Sequence, residues 1–347
     1  MPSVILLPPR ILFGRVTGWN DHALQESEES KVSDDDATGS AVASGVWPVM
    51  VTPFTDEGEI DWVGLDHMVE WYVASGVAGL FTVCLSSEMY ALSREEKLAL
   101  AEGVVKRAAG RIGVVASGTF EDTVEAKAEF VLEMVETGVD AVVLLVCQMA
   151  EKEEKDTDWK TKVEGLLNLT HDTPLGLYEC PSPYHRVLEP QMMSWLAGTG
   201  RFHYHKDTCR RLDWIEEKIA ASRNTPLRFL NAQTTTLLDS LRMGADGFTG
   251  TASNFFPSLH DWLCRNFDNP LADELQQFLN LVDPCIRHKY PASARYFQSL
   301  LGVEVGTHSR VRPVEFDEDD MKVFSALKSS VQVWQSKLGI ETAVEAL

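Results

Sequence analysis

From residue 45 onward, short apolar runs alternate with stretches whose apolar residues recur at helical spacing. The runs predict buried strands at 46–51, 79–83, 112–116, 140–146, 174–178, 201–206, 227–231 and 247–251. The intervening stretches predict helices, one of which begins at Ser93 with Glu96 as its capping-box partner. Strands and helices that alternate through eight strands predict an α/β fold, the parallel (β/α)8 TIM barrel.

The two ends of the chain depart from this alternation. Beyond residue 257 the strand pattern stops, and helical stretches follow at 271–282, 292–301 and 319–338. We therefore predict a barrel over 45–270 and C-terminal helices over 271–347 that pack on it. The first 44 residues lack apolar periodicity, and 21–36 are rich in acid and serine. We predict that 1–44 form a disordered N-terminal extension.

Composition narrows the class of protein. The 347 residues are 44% hydrophobic and 24% charged, which is typical of a globular enzyme. A net charge of −21 without a basic cluster argues against nucleic acid or an anionic membrane as a partner. No apolar run is long enough to span a bilayer. Six cysteines without a disulfide or zinc spacing predict a reducing, cytoplasmic location, although organellar targeting by the extension stays open.

Two reactive side chains end neighbouring predicted strands. Tyr178 ends the fifth strand and Lys206 ends the sixth. Because parallel strands end at the same rim of a barrel, we expect the phenol and the amine to lie close together. An amine can form a Schiff base with a carbonyl, and a phenol can move a proton beside it. The alternative is ordinary: a solvated lysine and a packed tyrosine.

Several segments, in order and at matching spacing, carry a family resemblance. They read GVWPVMVTPF, SGTFEDTVEA, LYECP, HKDT and GADGFTGTASNFFP. Over about 45–301 the chain resembles the dihydrodipicolinate synthase and N-acetylneuraminate lyase family of class I aldolases. The resemblance implies that Lys206 condenses with a 2-keto acid, typically pyruvate, and that Tyr178 shuttles protons at the imine. It further implies that the enzyme needs no cofactor and forms a homodimer or homotetramer.

The carboxylate-binding turn departs from the family pattern. Where the family usually has Gly-Thr-Thr-Gly-Glu, this chain reads CLSSE from Cys84. Leu85 thus replaces one hydroxyl, while Ser86 keeps the other. We predict that Ser86 and Ser87, through a side-chain hydroxyl and backbone N–H groups, bind the substrate with Thr249 of the eighth strand.

Two further departures bear on the reaction. Met149 stands where family members often have a tyrosine that completes a proton relay. Pro183 stands where the synthases have an arginine that binds the second substrate, and Arg186 is the available substitute. These replacements weaken the synthase assignment and leave the Schiff-base assignment intact.

We therefore predict a lyase that forms a lysine Schiff base with pyruvate or another 2-keto acid and catalyses aldol cleavage, aldol addition or dehydration. One alternative is a 4-hydroxy-tetrahydrodipicolinate synthase, and another is a non-catalytic barrel that binds a keto acid. Four cysteines near strand ends could gather as a metal or redox site: Cys84, Cys147, Cys180 and Cys209. Buried cysteines more often pack as small hydrophobes, so we predict no metal.

Overall fold

The computed structural model describes residues 38–341, in which eight parallel strands form a barrel. The strands are β1 Gly45–Val46, β2 Gly79–Thr82, β3 Gly113–Ser117, β4 Ala141–Leu145, β5 Leu175–Tyr178, β6 Phe202–Asp207, β7 Arg228–Asn231 and β8 Gly247–Phe248. They pair in the order β1-β8-β7-β6-β5-β4-β3-β2. A parallel bridge between Val49 and Phe81 joins the first strand's extension to β2. The predicted TIM barrel is confirmed.

The first and last strands are shorter than predicted. We expected 46–51 and 247–251, whereas the ladders cover Gly45–Val46 and Gly247–Phe248. Proline has no N–H to donate, so Pro48 interrupts the first ladder. The eighth ends early because a 3-10 turn begins at Thr251. At this seam the backbones approach so closely that a Cβ on Gly247 would lie 1.9 Å from the Gly45 carbonyl oxygen.

A helix follows each strand. These helices are α1 Trp62–Ala74, α2 Arg94–Ala108, α3 Val124–Glu136, α4 Asp156–Leu169, α5 Pro190–Gly198, α6 Leu212–Ser222, α7 Leu237–Met243 and α8 Pro257–Arg265. The capping box predicted for α2 is present: the Glu96 N–H donates to Ser93 Oγ (3.2 Å), and the Ser93 N–H donates to Glu96 Oε2 (2.8 Å). The sequence pattern did not predict α8 as a separate helix.

Three C-terminal helices complete the fold: α9 Ala272–Arg287, α10 Ala292–Leu300 and α11 Glu318–Leu338. Phe255, which precedes α8, packs against Phe297 of α10 and Phe324 of α11, at ring distances of 5.5 and 6.5 Å. Within the described residues, the barrel and these helices belong to one compact unit. No helix between residues 38 and 341 has both the length and the apolar character needed to cross a membrane.

Part of the predicted extension lies within the described residues. Residues 38–44 run against the barrel: the Val42 side chain is 1% exposed, and the Ala41 N–H donates to His203 Nδ1 (2.9 Å). The Val42 carbonyl accepts a hydrogen bond from Arg228 Nε (3.3 Å). These seven residues therefore pack on the barrel, and the rest of the predicted disordered extension, 1–37, lies outside the described residues.

Candidate active site

The carboxyl ends of the strands open into a cavity of about 960 Å³. Tyr178 and Lys206 both line it, as the sequence predicts. The two residues are direct partners in the ladder between β5 and β6. The Lys206 ammonium group lies 5.1 Å from the centre of the Tyr178 ring. The phenol and the amine therefore share one wall of the cavity.

Lys206 is buried and has no carboxylate partner. Its side chain is 4% exposed, and Nζ donates a hydrogen bond to the Thr249 carbonyl. No ion pair to Lys206 occurs within residues 38–341. Burial lowers the pKa of Lys206 to about 8, against a weaker opposing effect of the Cys84 and Cys180 thiols. A substantial fraction of this amine is neutral near pH 8, which is the state that attacks a carbonyl.

Aromatic rings form the floor beneath the amine. Tyr204 packs edge-on against Trp47 and Phe81, with ring centres 5.7 and 5.5 Å apart. Phe81 also contacts Tyr178, at 5.6 Å. Tyr204 faces the barrel interior, as strand alternation predicts, and the apolar floor explains why Lys206 is poorly solvated.

Tyr178 keeps its proton. Burial raises the pKa of the Tyr178 phenol well above its ordinary value, and the nearby Cys180 and Cys84 thiols raise it further. The group is therefore a hydrogen-bond donor across the working pH range of an enzyme. Such a donor can protonate an oxygen that leaves as water, which imine formation requires.

A buried charge cluster lies behind the two residues, between the strands and α6. Lys218 Nζ contacts Glu179 Oε1 (2.7 Å) and Asp207 Oδ2 (2.6 Å), and all three side chains are fully buried. Burial, the largest single effect, raises the pKa of Glu179, but the Lys218 ammonium and His205 together outweigh it and lower the pKa to about 2. Because Glu179 follows Tyr178 and Asp207 follows Lys206, Lys218 ties the ends of β5 and β6 together.

The same cluster contains the metal-ligand group found among the described residues. Ligand atoms of Glu179, His205 and Asp207 all lie within 4.8 Å of one another. The Lys218 ammonium already contacts both carboxylates, so a positive charge occupies the position that a cation would take. The arrangement thus favours an internal ion pair over a metal centre.

The predicted substrate-binding residues separate into two groups. Ser86 lines the cavity. Ser87 is fully buried: its hydroxyl donates to the Met50 carbonyl (2.6 Å), and its N–H donates to the Cys84 carbonyl (3.0 Å). Thr249 pairs with the Tyr204 hydroxyl (2.6 Å) and accepts from Lys206. The geometry thus favours Ser86 as the substrate contact, whereas Ser87 and Thr249 hold the surrounding groups in position.

The family departures have distinct positions. Leu85 lines the cavity beside Ser86, so an apolar side chain occupies the place of a hydroxyl. Met149 and Pro183 instead line a separate cavity of about 510 Å³. Arg186 Nη2 donates to Asp156 Oδ1 and to the Glu154 carbonyl, both at 2.8 Å. Arg186 is therefore engaged away from the cavity that holds Lys206.

The sequence analysis missed a wall of the cavity that comes from outside the barrel. Asp283 and Arg287 of α9 and Tyr290 of the following loop line it, and Arg210 and His185 contribute from loops after β6 and β5. The sequence shows these five residues only as ordinary polar residues near the ends of predicted helices. Their approach to Lys206 depends on how the C-terminal helices pack.

The rim cysteines do not gather into one site. All six cysteines are free thiols. Cys84 bonds to Ser87 Oγ (3.4 Å), whereas Cys147 Sγ lies 3.2 Å from the Ser182 carbonyl oxygen and beside Cys180. Hydrogen bonding from Cys147 holds the pKa of Cys180 at about 7. The cysteine group predicted as one possibility is therefore a pair and two separate thiols.

Comparison with known proteins agrees with this geometry. The model of the dihydrodipicolinate synthetase family matches residues 42–330. A 4-hydroxy-tetrahydrodipicolinate synthase of Gluconacetobacter diazotrophicus is 28% identical over 283 residues, which cover 80% of this chain and 94% of the relative. Its counterpart from Oceanobacillus iheyensis is 24% identical over 291 residues, 83% of this chain and 97% of the relative.

Solved structures share the fold. A dihydrodipicolinate synthase of Bacillus anthracis superposes with a TM-score of 0.74 at 20% identity, covering 83% of this chain and 98% of the other. A prophage protein of Escherichia coli K12 from the dihydrodipicolinic acid synthase family, solved with pyruvate, superposes with a TM-score of 0.73 at 20% identity and the same coverage. Because the family model spans most of the barrel and its C-terminal helices, the chain belongs to the dihydrodipicolinate synthetase family of aldolase-type lyases.

Proposed function

We propose that this enzyme forms a Schiff base between Lys206 and a 2-keto acid, pyruvate or a relative of it, and uses Tyr178 to move protons at the imine. The observation that carries the proposal is a buried, unpaired amine with a pKa of about 8 beside a protonated phenol in an open cavity. Aldol cleavage, aldol addition and dehydration of a keto acid all pass through such an imine.

The chemistry follows from the two protonation states. The neutral Lys206 nitrogen attacks the keto carbon, and the carbonyl oxygen becomes the hydroxyl of a carbinolamine. The proton that the nitrogen loses on attack supplies that hydroxyl. Tyr178 then donates its own proton to the hydroxyl, which leaves as water and yields the protonated imine, and the phenolate regains a proton from the substrate carbon next to the imine. The resulting protonated imine withdraws electrons from the neighbouring carbon, where the bond to the second substrate forms or breaks.

Borohydride trapping tests the assignment. With pyruvate and sodium borohydride, the wild-type protein should gain one reduced adduct, which peptide mass mapping should locate on Lys206. Lys206→Ala should give no adduct. Tyr178→Phe should form the adduct slowly and lose turnover by roughly 10²- to 10⁴-fold, the usual effect of removing an acid–base group.

Lys97→Ala is the matched control. Burial lowers the pKa of Lys97 too. Its amine, however, donates to the carbonyl of Leu92, just before α2, and does not line the cavity. This variant should trap pyruvate at the wild-type rate. An adduct that survives Lys206→Ala, or that maps to another lysine, would contradict the assignment. Adduct formation without turnover of any keto-acid aldol would favour the non-catalytic binding protein.

The second candidate is the reaction for which the relatives are named, 4-hydroxy-tetrahydrodipicolinate synthesis. Pro183 cannot donate a hydrogen bond to the second substrate's carboxylate, and Arg186 is engaged by Asp156. We therefore expect weak synthase activity. Rapid consumption of aspartate semialdehyde with pyruvate would reverse this preference and would direct attention to Arg210 and Arg287 at the cavity rim.

Assembly and location remain expectations. Family members are generally oligomeric, so we expect a homodimer or homotetramer, which light scattering at micromolar concentration would measure. A monomer would contradict this. A cytoplasmic location rests on the cysteine pattern of the sequence, and targeting by the first residues stays open.

A further inference from the structure

Tyr290 brings a second phenol to the cavity from outside the barrel. It lies in the loop between α9 and α10, and it lines the same cavity as Ser86, Tyr178 and Lys206. The Ser86 and Tyr290 side chains line one cavity, and the Ser86 hydroxyl acts on the phenol by lowering its pKa. The proposed reaction above gives this residue no role.

The amide of Asn254 fixes which way the Tyr290 hydroxyl bonds. Asn254 Nδ2 lies 2.9 Å from the Val49 carbonyl oxygen and 2.8 Å from the Tyr290 hydroxyl. A backbone carbonyl only accepts, so the amide nitrogen must face Val49 and cannot be exchanged with the amide oxygen. The second amide hydrogen is therefore donated to the Tyr290 oxygen.

The next links confirm this direction. Gln298 Nε2 donates to the backbone carbonyl of Asn254 (2.9 Å) and to the Tyr72 hydroxyl (3.2 Å). Tyr72, whose oxygen already accepts, donates its own hydrogen to Asn254 Oδ1 (2.5 Å). One hydrogen each of Gln298, Tyr72 and Asn254 is thus donated along the chain toward Tyr290, and cooperative polarisation strengthens the last donor.

The chain leaves the Tyr290 hydrogen directed into the cavity. Its oxygen accepts from Asn254, so its O–H remains for donation to a group in the cavity that Tyr290 and Ser86 both line. Burial raises the pKa of the Tyr290 phenol, which hydrogen bonds from Ser86 and Asn254 offset only in part. The group therefore remains a donor at every pH where the enzyme would work.

The keto-acid site lacks a donor at this position. A keto-acid carboxylate that leaves water needs several hydrogen bonds. Leu85 offers no hydroxyl, and both donors of Ser87 are engaged by the Met50 and Cys84 carbonyls. Of the side-chain donors in the CLSSE turn, only the Ser86 hydroxyl lines the cavity; Glu88, which also lines it, is a carboxylate paired with Arg295 (3.0 Å).

We propose that Tyr290, together with Ser86, binds the carboxylate of the keto acid that condenses with Lys206, so that a phenol from the C-terminal helices replaces the hydroxyl lost at Leu85. The inference rests on the proposed function and specifies its substrate-binding contact.

Tyr290→Phe tests the proposal because it removes one oxygen and keeps the ring. The measurement is the pyruvate concentration that gives half-maximal borohydride adduct, compared with that of methyl pyruvate, which has the keto group but no charge. A lost hydrogen bond to a carboxylate should raise the value for pyruvate by roughly 10- to 100-fold. The value for methyl pyruvate should change by less than about threefold, because a neutral ester gains little from this donor.

Tyr296→Phe is the matched control. Tyr296 lies on α10, stacks on Phe316 with ring centres 4.4 Å apart and does not line the cavity, so both half-saturation values should stay at the wild-type level. Melting temperatures establish that each variant is folded. If Tyr290→Phe does not fold, Tyr290→Met, which also lacks a donor, replaces it in the same comparison.

The outcomes separate the two proposals. If the wild-type protein forms no borohydride adduct, the Lys206 assignment itself is overturned. An adduct in Tyr290→Phe with unchanged half-saturation by pyruvate would overturn the carboxylate contact and leave Lys206 standing. An equal loss for pyruvate and for methyl pyruvate would also overturn it, since it would indicate a general disturbance of the cavity.

Discussion

At the scale of single residues, the environment of Lys206 makes it distinctive. Its amine meets the Thr249 carbonyl and the face of Tyr178, with rings beneath and no carboxylate in contact. Lys218, in the helix α6 that follows Lys206 along the chain, is equally buried. It lies between two carboxylates, which raise its pKa although burial alone lowers it. The two lysines show that a counter-charge decides whether a buried lysine has a lowered or a raised pKa.

The pH dependence of imine formation follows from the lowered pKa of Lys206. Only the neutral amine attacks, so the rate of adduct formation should rise about tenfold per pH unit below the pKa and level off above about pH 8. Initial rates of trapping with pyruvate and cyanoborohydride, followed by mass spectrometry from pH 6 to 10, measure it. A rate that keeps rising to about pH 10 would mean an ordinary, hydrated lysine.

The predicted strand ends sufficed to place Tyr178 and Lys206 side by side, but they did not determine the positions of the neighbouring residues. Tyr178 and Lys206 end adjacent strands, which is a local property of the sequence. Whether Ser87 faces the cavity depends on a 3-10 turn at Leu85–Ser87 that directs its hydroxyl to Met50. Tyr290 lies 84 positions beyond Lys206 in the sequence, so only tertiary packing brings the two residues together.

At the scale of elements, β5, β6 and α6 act as one unit. Glu179 accepts the N–H groups of Thr208 (2.8 Å) and Leu188 (3.0 Å) as well as the Lys218 ammonium (2.7 Å). The residue after each reactive side chain is thereby held to the same cation. These contacts favour a role for Glu179 and Asp207 in joining the two strands.

Lys218→Met should destabilise the fold strongly because it leaves Glu179 and Asp207 buried without a cation. Removing one partner of a buried ion pair costs about 3–5 kcal/mol in the free energy of unfolding. Urea unfolding at pH 7 measures this loss. The double variant Lys218→Met/Glu179→Gln removes one unpaired charge and should recover part of it.

Lys106→Met is the control for the loss of a lysine. Lys106 makes an exposed pair with Glu102 four residues earlier, so its removal should change the free energy of unfolding by less than about 1 kcal/mol.

The loss of unfolding free energy in Lys218→Met should shrink as the pH falls from 4.5 toward 2. The pKa of Glu179 is about 2 when folded, so the stability that Lys218 supplies is present above the ordinary carboxyl range and is lost below it. A pH-independent deficit would contradict this origin.

The element boundaries that the sequence did not predict have physical causes. Hydrophobic runs predicted six residues for the first strand, but a ladder needs N–H donors and Pro48 lacks one. Helix α8 begins at Pro257 directly after Phe255 and Phe256, whose large side chains obscure helical spacing at its start. Both departures lie at the seam of the barrel, where β1 and β8 meet.

At the scale of the whole molecule, the C-terminal helices are part of the site. Glu88 lies only two residues after Ser86. It pairs with the buried Arg295 of α10 (3.0 Å) and accepts the backbone N–H of Arg310 (2.8 Å). The cavity wall from Asp283 to Tyr290 belongs to the same segment. The cavity that holds Lys206 is therefore complete only with these helices packed on the barrel, and the family model likewise extends beyond the last strand to residue 330.

The N-terminal segment divides at residue 38, and a pair of truncations tests the division. Deleting 1–37 should leave the free energy of unfolding unchanged, because those residues lack apolar periodicity. Deleting 1–44 should lower it by about 2–4 kcal/mol. The larger deletion exposes the surface under Val42, and it removes the carbonyl of Ala43 that accepts from Trp47 Nε1 (2.9 Å).

Urea unfolding of the two truncated proteins beside the full chain measures the difference. Trp47 is a floor ring beneath Lys206, so the 1–44 deletion should also slow pyruvate trapping, whereas the 1–37 deletion should not. A loss of stability on deleting 1–37 would mean that the extension docks on the barrel. Equal stability of both truncated proteins would mean that the packing of Val42 and the hydrogen bond from Trp47 contribute nothing, although the Val42 and Trp47 side chains are buried.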